Sequence, residues 1–212
     1  MVMNTPLTVL PHDLLWGMPL SDLPADAPDW VFEVVSKGQP VVVRRASVAA
    51  GQVAVGIRGS LREQRYAAIM ACSAIERHVR PEQLTHLATR NPCNWPALDA
   101  LRQVRPVMDV LGLSWGVSGS AGFELASGFS ALHQGSDLDL ILRTPQFVSR
   151  RWAAELVEAL ETATCRVDVQ LQLNDGAVAL REWAGASRQV LLKSSTEARL
   201  VSDPWQPPRM CA

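Results

Sequence analysis

Asp137-Leu138-Asp139-Leu140 alternates acid and leucine one residue at a time, and this restricts the fold more tightly than any other segment. In a strand, successive side chains leave opposite faces, so the two leucines enter a core while the two carboxylates share the other face. Carboxylates held that close repel each other unless a cation stands between them. The segment, introduced by Ser136, therefore asks for a sheet covered on one side and open to charge on the other. Upstream, a short strand over 114–118 delivers Gly119-Ser120 into a turn. Glycine lets the backbone approach a phosphate, amides opening the next helix donate to its oxygens, and Ser120 adds a hydroxyl donor. Mg²⁺ takes oxygen ligands and keeps room for substrate phosphates. A glycine turn followed by a two-acid strand thus implies metal-dependent chemistry on a phosphate.

Residues 166–173, from Arg166 to Leu173, alternate polar and apolar throughout, with Asp168 on the polar face. Such a strand rests one face on helices and leaves the other to solvent or substrate. If it neighbours the two-acid strand, three carboxylates share one open face, an arrangement able to hold two divalent ions for in-line displacement at phosphorus. Asp168 then either accepts the proton of the attacking hydroxyl or orients an ion. The plainer alternatives are solvated acids on an edge strand and an ordinary turn glycine.

At 212 residues the chain can bury one core or two small ones. Its 48% apolar and 19% charged residues suit a soluble globular protein, and a net charge of −1 excludes a general nucleic-acid binder. Cys72, Cys93, Cys165 and Cys211 are scattered, with no zinc spacing, as in a reduced cytoplasmic protein. No leader pattern opens the sequence and no apolar run of about 18 residues interrupts it, so neither secretion nor membrane spanning is expected.

Residues 40–45 and 53–57 read as strands. Ser60 and Glu63 form a capping-box pattern, which predicts a helix from 60 to about 78 carrying Leu61, Tyr66, Ile69, Met70 and Ile75. Pro81 opens a short helix, and 89–96 reads as a connector. The domains are then 1–80, for substrate or partner binding, and 81–212, for catalysis. In the second, 97–110 is a helix with Leu98, Leu101, Val104 and Met108 as its stripe. Pro145 opens a helix to about 161, and 190–193 adds a final strand. The class is α/β, a small mixed sheet with flanking helices.

Gly119-Ser120, Ser136-Asp137-Leu138-Asp139 and Val167-Asp168-Val169 together resemble the nucleotidyltransferase superfamily of the polymerase-β type. The interval from Ser120 to Asp137 is longer than these enzymes usually show, which implies a loop insertion. Residues 12–16, 42–45, 55–59 with Arg62 and Arg65, 115–120 and 203–205 narrow the resemblance to the phosphoribosyl-dephospho-CoA transferases of malonate decarboxylase, over nearly the whole chain. These attach the phosphoribosyl-dephospho-CoA part of 2′-(5″-triphosphoribosyl)-3′-dephospho-CoA to a serine of the acyl-carrier subunit, and diphosphate leaves. The resemblance implies that Asp137, Asp139 and Asp168 are catalytic metal ligands, and that Gly119 and Ser120 hold the triphosphate. Rival readings are an ATP-dependent nucleotidyltransferase of the antibiotic-modifying or antitoxin-linked kind, and a non-catalytic carrier-binding subunit.

Arg58, Arg62 and Arg65, following Arg44-Arg45, supply guanidinium forks suited to a triphosphate or an acidic carrier protein. Arg58, in a strand-to-helix turn beside Gly59, is the strongest of them; the alternative for Arg62 and Arg65 is a solvated helix face. Lys193 is a weaker candidate, and Arg150-Arg151 reads as surface. His12 and Asp13, as sequence neighbours, do not share a face, so His12 reads as an anchor of the N-terminal segment. His133 lies in a loop able to touch substrate. The tryptophans, Trp16 and Trp115 included, read as core.

Overall fold

The computed structural model of the chain describes residues 8–61, 63–87, 94–161 and 164–206. The chain divides into two compact units, Met1–Val79 and Arg80–Ala212. Arg62, Cys93, Cys211 and residues 89–93 of the expected connector lie outside the described residues. Among those described, no helix is long and apolar enough to cross a membrane.

Unit one is an antiparallel sheet of β1 (Leu14–Trp16), β2 (Val41–Val43), β3 (Gln52–Arg58), β4 (Arg65–Ala71) and β5 (Arg77–Val79), in the order β4-β3-β2-β1-β5. Its core joins Leu15, Val41, Val55, Ile57 and Met70 to Val31, Val34 and Val35 of α1 (Asp29–Ser36). These three valines fall at helical spacing and present one apolar stripe to the sheet.

The helix expected from Ser60 does not form. Gly59 N donates to Gln64 O at 3.0 Å, while Ser60 Oγ and Leu61 N donate to Gln64 Oε1 at 3.3 and 3.0 Å, so the chain turns back on itself. From Arg65 it pairs with β3 over seven residues, Arg58↔Arg65 through Gln52↔Ala71. Burial then follows a period of two, with Ala68 and Met70 inside and Ile69 48% exposed. A helix cap contributes about 1 kcal/mol, and a long ladder with its own buried face outweighs it.

Unit two is a six-stranded sheet of β6 (Trp115–Val117), β7 (Leu138–Arg143), β8 (Val167–Gln172), β9 (Ala177–Ala179), β10 (Val190–Lys193) and β11 (Ala198–Val201). The order is β11-β10-β9-β8-β7-β6, and β7 with β8 is its parallel pair. Parallel neighbours need a crossover, supplied by α4 (Arg150–Leu160). In β7, Leu138, Leu140, Ile141 and Leu142 are all at most 1% exposed, and because Ile141 and Leu142 leave opposite faces, both faces are covered at that end. The stripe expected in α2 (Pro96–Asp109) is buried at all four positions. The remaining helices are α3 (Gly119–Ser127) and α5 (Leu180–Ala184).

Boundaries differ in several places. A four-residue 3₁₀ turn, Pro81–Leu84, stands where a short helix was expected. α4 begins at Arg150 rather than at Pro145, because Ser149 caps it by accepting from Trp152 N at 3.1 Å. Residues 190–193 are followed by one more strand, with which they form an antiparallel pair.

Candidate active site

Three elements of unit two converge on Asp139. β6 ends at Val117, and Ser118 N extends its pairing with β7 by donating to Asp139 O at 2.9 Å. Gly119 follows at φ +59° and opens α3, and a Cβ built on it would collide with the Asp139 carboxylate. Glycine is needed here both for its conformation and for its missing side chain. Ser120 is half-buried in the first turn of α3. On the next strand, Asp168 is the register partner of Asp139. Asp137 precedes β7 by one residue and is exposed, while Asp139 and Asp168 are half-buried.

The expected loop insertion has a definite form. α3 uses the interval as far as Ser127, and the loop beyond it is pinned to that helix by Glu124. Glu124 Oε2 accepts from Ala131 N at 2.7 Å and Leu132 N at 2.8 Å, and its Oε1 accepts from Trp95 Nε1 at 3.1 Å. Ser136, buried, accepts from His133 N at 3.0 Å and so shapes the turn that delivers Asp137. His133 is exposed, with Nδ1 accepting from Gly135 N at 3.1 Å.

Asp168 is not a bare acid. Its Oδ1 accepts from Arg166 Nε at 2.9 Å, and Arg181 Nε stands 3.8 Å away. Arg181 also pairs with Glu161. The hydrogen bond and charge of Asp168, then the charges of Asp137 and Glu161, raise the Arg166 pKa above its ordinary value. Cys165 is pushed up too, first by burial and then by Asp137 and Asp139, with the Leu138 backbone pulling the other way. Leu160, Glu161, Thr164, Cys165, Arg166 and Arg181 line a cleft of about 470 Å³. Among the described residues no three His, Cys, Asp or Glu side chains are arranged to hold a metal ion. Of the residues lining the cleft, Glu161 is the acid, and Asp168 is tied to the cleft through Arg166 and Arg181.

The arginines singled out in the sequence belong to unit one, where Arg58 and Arg65 face each other across a ladder rather than lining a helix. Arg65 donates to Gln64 O at 2.9 Å. Lys193 ends β10 and is exposed. Arg150 is a structural tie: it donates to Gly185 O at 2.8 Å and lies 4.1 Å over the Trp183 ring. His12 adopts φ +76°, and its neighbour Asp13, fully buried, pairs with His78 at 2.7 Å. Trp115 is buried and donates to Asp109 at 3.1 Å, whereas Trp16 is half-buried beneath Arg77.

Arg166, Arg181, Cys165 and Glu124 were not singled out in the sequence. Arg166 was legible in principle, since it stands two residues before Asp168 and shares its face. Arg181 carries no local signal; it reaches Asp168 only because α5 packs beside β8.

Comparison with known proteins covers both units. A family model described as the phosphoribosyl-dephospho-CoA transferase MdcG C-terminal domain matches residues 83–204, and one for the MdcG N-terminal domain matches residues 10–81. A protein named phosphoribosyl-dephospho-CoA transferase from Pseudomonas syringae pv. tomato is 64% identical over 211 residues, 100% of each chain. Proteins of the same name from Azotobacter vinelandii and Pseudomonas aeruginosa are 52% and 50% identical, over 96% and 92% of this chain and 97% and 93% of their own. No solved structure matches.

Proposed function

The chain belongs to the phosphoribosyl-dephospho-CoA transferase (MdcG) family, and we propose that it works on the acyl-carrier subunit of malonate decarboxylase. In this reading it transfers the phosphoribosyl-dephospho-CoA group of 2′-(5″-triphosphoribosyl)-3′-dephospho-CoA to a serine of that subunit. The serine oxygen bonds to the innermost phosphorus of the triphosphate, the bond to the outer two phosphates breaks, and diphosphate leaves. The observation that carries the proposal is the register pair Asp139↔Asp168 beside the Gly119 turn. Unit two then works as a nucleotidyltransferase domain of the polymerase-β type, in a cytoplasmic enzyme.

The residues divide the work. Backbone amides opening α3, with Ser120, hold the triphosphate oxygens, because a helix N-terminus favours anions. Gly119 keeps that turn against Asp139. Arg166 and Arg181, held on Asp168, offer donors to phosphate oxygens arriving in the cleft. Asp168, once Arg166 turns to phosphate, is placed to receive the serine proton or to serve as a ligand.

The donor set suits a hard cation such as Mg²⁺. Asp137 and Asp139 stand two residues apart in the chain, and Asp168, the register partner of Asp139, would join them if its Oδ1 left Arg166. One or two such ions would supply neutralisation of phosphate charge and a lower pKa for the attacking hydroxyl.

Diphosphate release tests the reaction, measured with donor and apo carrier together and with each omitted. Release that requires both is expected. Equal release from the donor alone would mean hydrolysis and remove the carrier as acceptor.

A further inference from the structure

The strand registers of unit one sort its side chains into two faces. Leu15, Val41, Val55, Ile57 and Met70 turn inward to the core shared with α1. The opposite face carries the row Val79, Leu14, Val42, Gly56 and Ala67, one residue from each strand and each the register partner of the next; Leu14 is buried and Ala67 exposed. Two residues along the strands, the same face presents Arg77 opposite Trp16 and Arg58 opposite Arg65. The Arg77 guanidinium lies 4.3 Å from the centre of the Trp16 ring. Arg44 lays its stem toward Gly56, where an added Cβ would come within 3.3 Å of its Cδ. Arg44, Arg65 and Arg77 are exposed, as are Ala67 and Ile69. No strand residue on this face is acidic.

We propose that this face docks an acidic segment of a protein partner. The partner's identity as the acyl-carrier subunit rests on the reading above. Guanidinium forks pair with carboxylates in two parallel hydrogen bonds. Arg58 and Arg65, directly opposite each other, concentrate positive charge that a facing carboxylate complements. Beside Arg65, Ala67 and Ile69 leave an exposed stretch of the edge strand β4 on which another backbone can lie.

Size favours a protein over the phosphates of the donor. From β4 to β5 the strand order takes four steps, about 19 Å at roughly 4.8 Å each. Arg65 and Arg77 stand on those outer strands, so one phosphate chain does not serve both. A helix rising 1.5 Å per residue covers that width in about 13 residues.

The test uses full-length protein and an apo carrier subunit whose acceptor serine is replaced by alanine, so that binding is read without transfer. Fluorescence anisotropy gives carrier affinity at low and high salt, and calorimetry gives donor affinity. For the wild type, carrier affinity falls with salt. For Arg44→Glu with Arg65→Glu it weakens about tenfold or more, since reversed charges meet the partner's acids, while donor affinity stays within about twofold. Arg44→Gln with Arg65→Gln, checked by thermal unfolding, gives a smaller loss in the same direction should charge reversal disturb the fold. Unchanged carrier affinity in both doubles overturns the proposal, and so does a loss confined to the donor. Salt-dependent carrier binding without modification of the serine-bearing carrier would sink the transfer reaction and leave the docking face standing.

Discussion

Gly119 and Asp139 are so close that no side chain fits between them: a Cβ on the glycine collides with the carboxylate, and its φ of +59° already favours glycine. The Gly119 turn and the acidic strand are therefore one unit, and moving either moves the other.

Gly119→Ala should reveal that coupling. A left-handed alanine costs about 1 kcal/mol, and the displaced Asp139 adds a loss of activity out of proportion to it. Thermal unfolding and kcat on the same sample check this. Full activity would show that the close approach has no part in the reaction.

Asp137→Asn and Asp139→Asn should fold, because Asp137 is exposed and Asp139 half-buried on the open face. Turnover should nevertheless fall by several orders of magnitude, as removal of metal-ligating charge implies. Circular dichroism and steady-state rates separate the two effects. Wild-type turnover in either variant would remove the metal-site proposal.

Cys165 reports on the same carboxylates without any turnover. Burial, then Asp137 and Asp139, hold its thiol above the ordinary range, so little thiolate exists near neutral pH. Neutralising one acid lowers that pKa, and alkylation of Cys165 in Asp139→Asn should be faster at a given pH. Mg²⁺ should accelerate wild-type alkylation for the same reason. Peptide-resolved mass spectrometry follows this thiol apart from the exposed Cys72. Acceleration in the variant with none from Mg²⁺ would place the cation elsewhere.

Arg166→Ala tests whether the guanidinium holds substrate or only the fold. Its pair with Asp168 is exposed on the arginine side and screened by solvent, so stability should change little. Donor KM should rise. A change in melting temperature with KM unaltered would give Arg166 a structural role alone.

Parts of this site were legible because strands carry a period of two. That period put Leu138 and Leu140 inside and the acids outside, and marked 166–173 as a strand whose polar face holds Asp168. It failed over 60–78, where Leu61, Tyr66, Ile69 and Met70 fit a helical stripe as well as a strand. Gln64 settled that segment by closing a turn, its carbonyl accepting from Gly59 N and its side chain from Ser60 Oγ and Leu61 N, and the ladder with β3 did the rest. The ladder is decided by pairing across the chain rather than by neighbours. Arg181 was illegible for the same reason, since 13 positions separate it from Asp168 and only α5 brings them together.

The most direct measurement is the intact mass of the acyl-carrier subunit after incubation with this protein, Mg²⁺ and the triphosphoribosyl donor, beside a matched reaction with ATP. A gain equal to one phosphoribosyl-dephospho-CoA group, with little or none from ATP, is the predicted result. Adenylylation from ATP alone, or an unmodified carrier in both tubes, would contradict it.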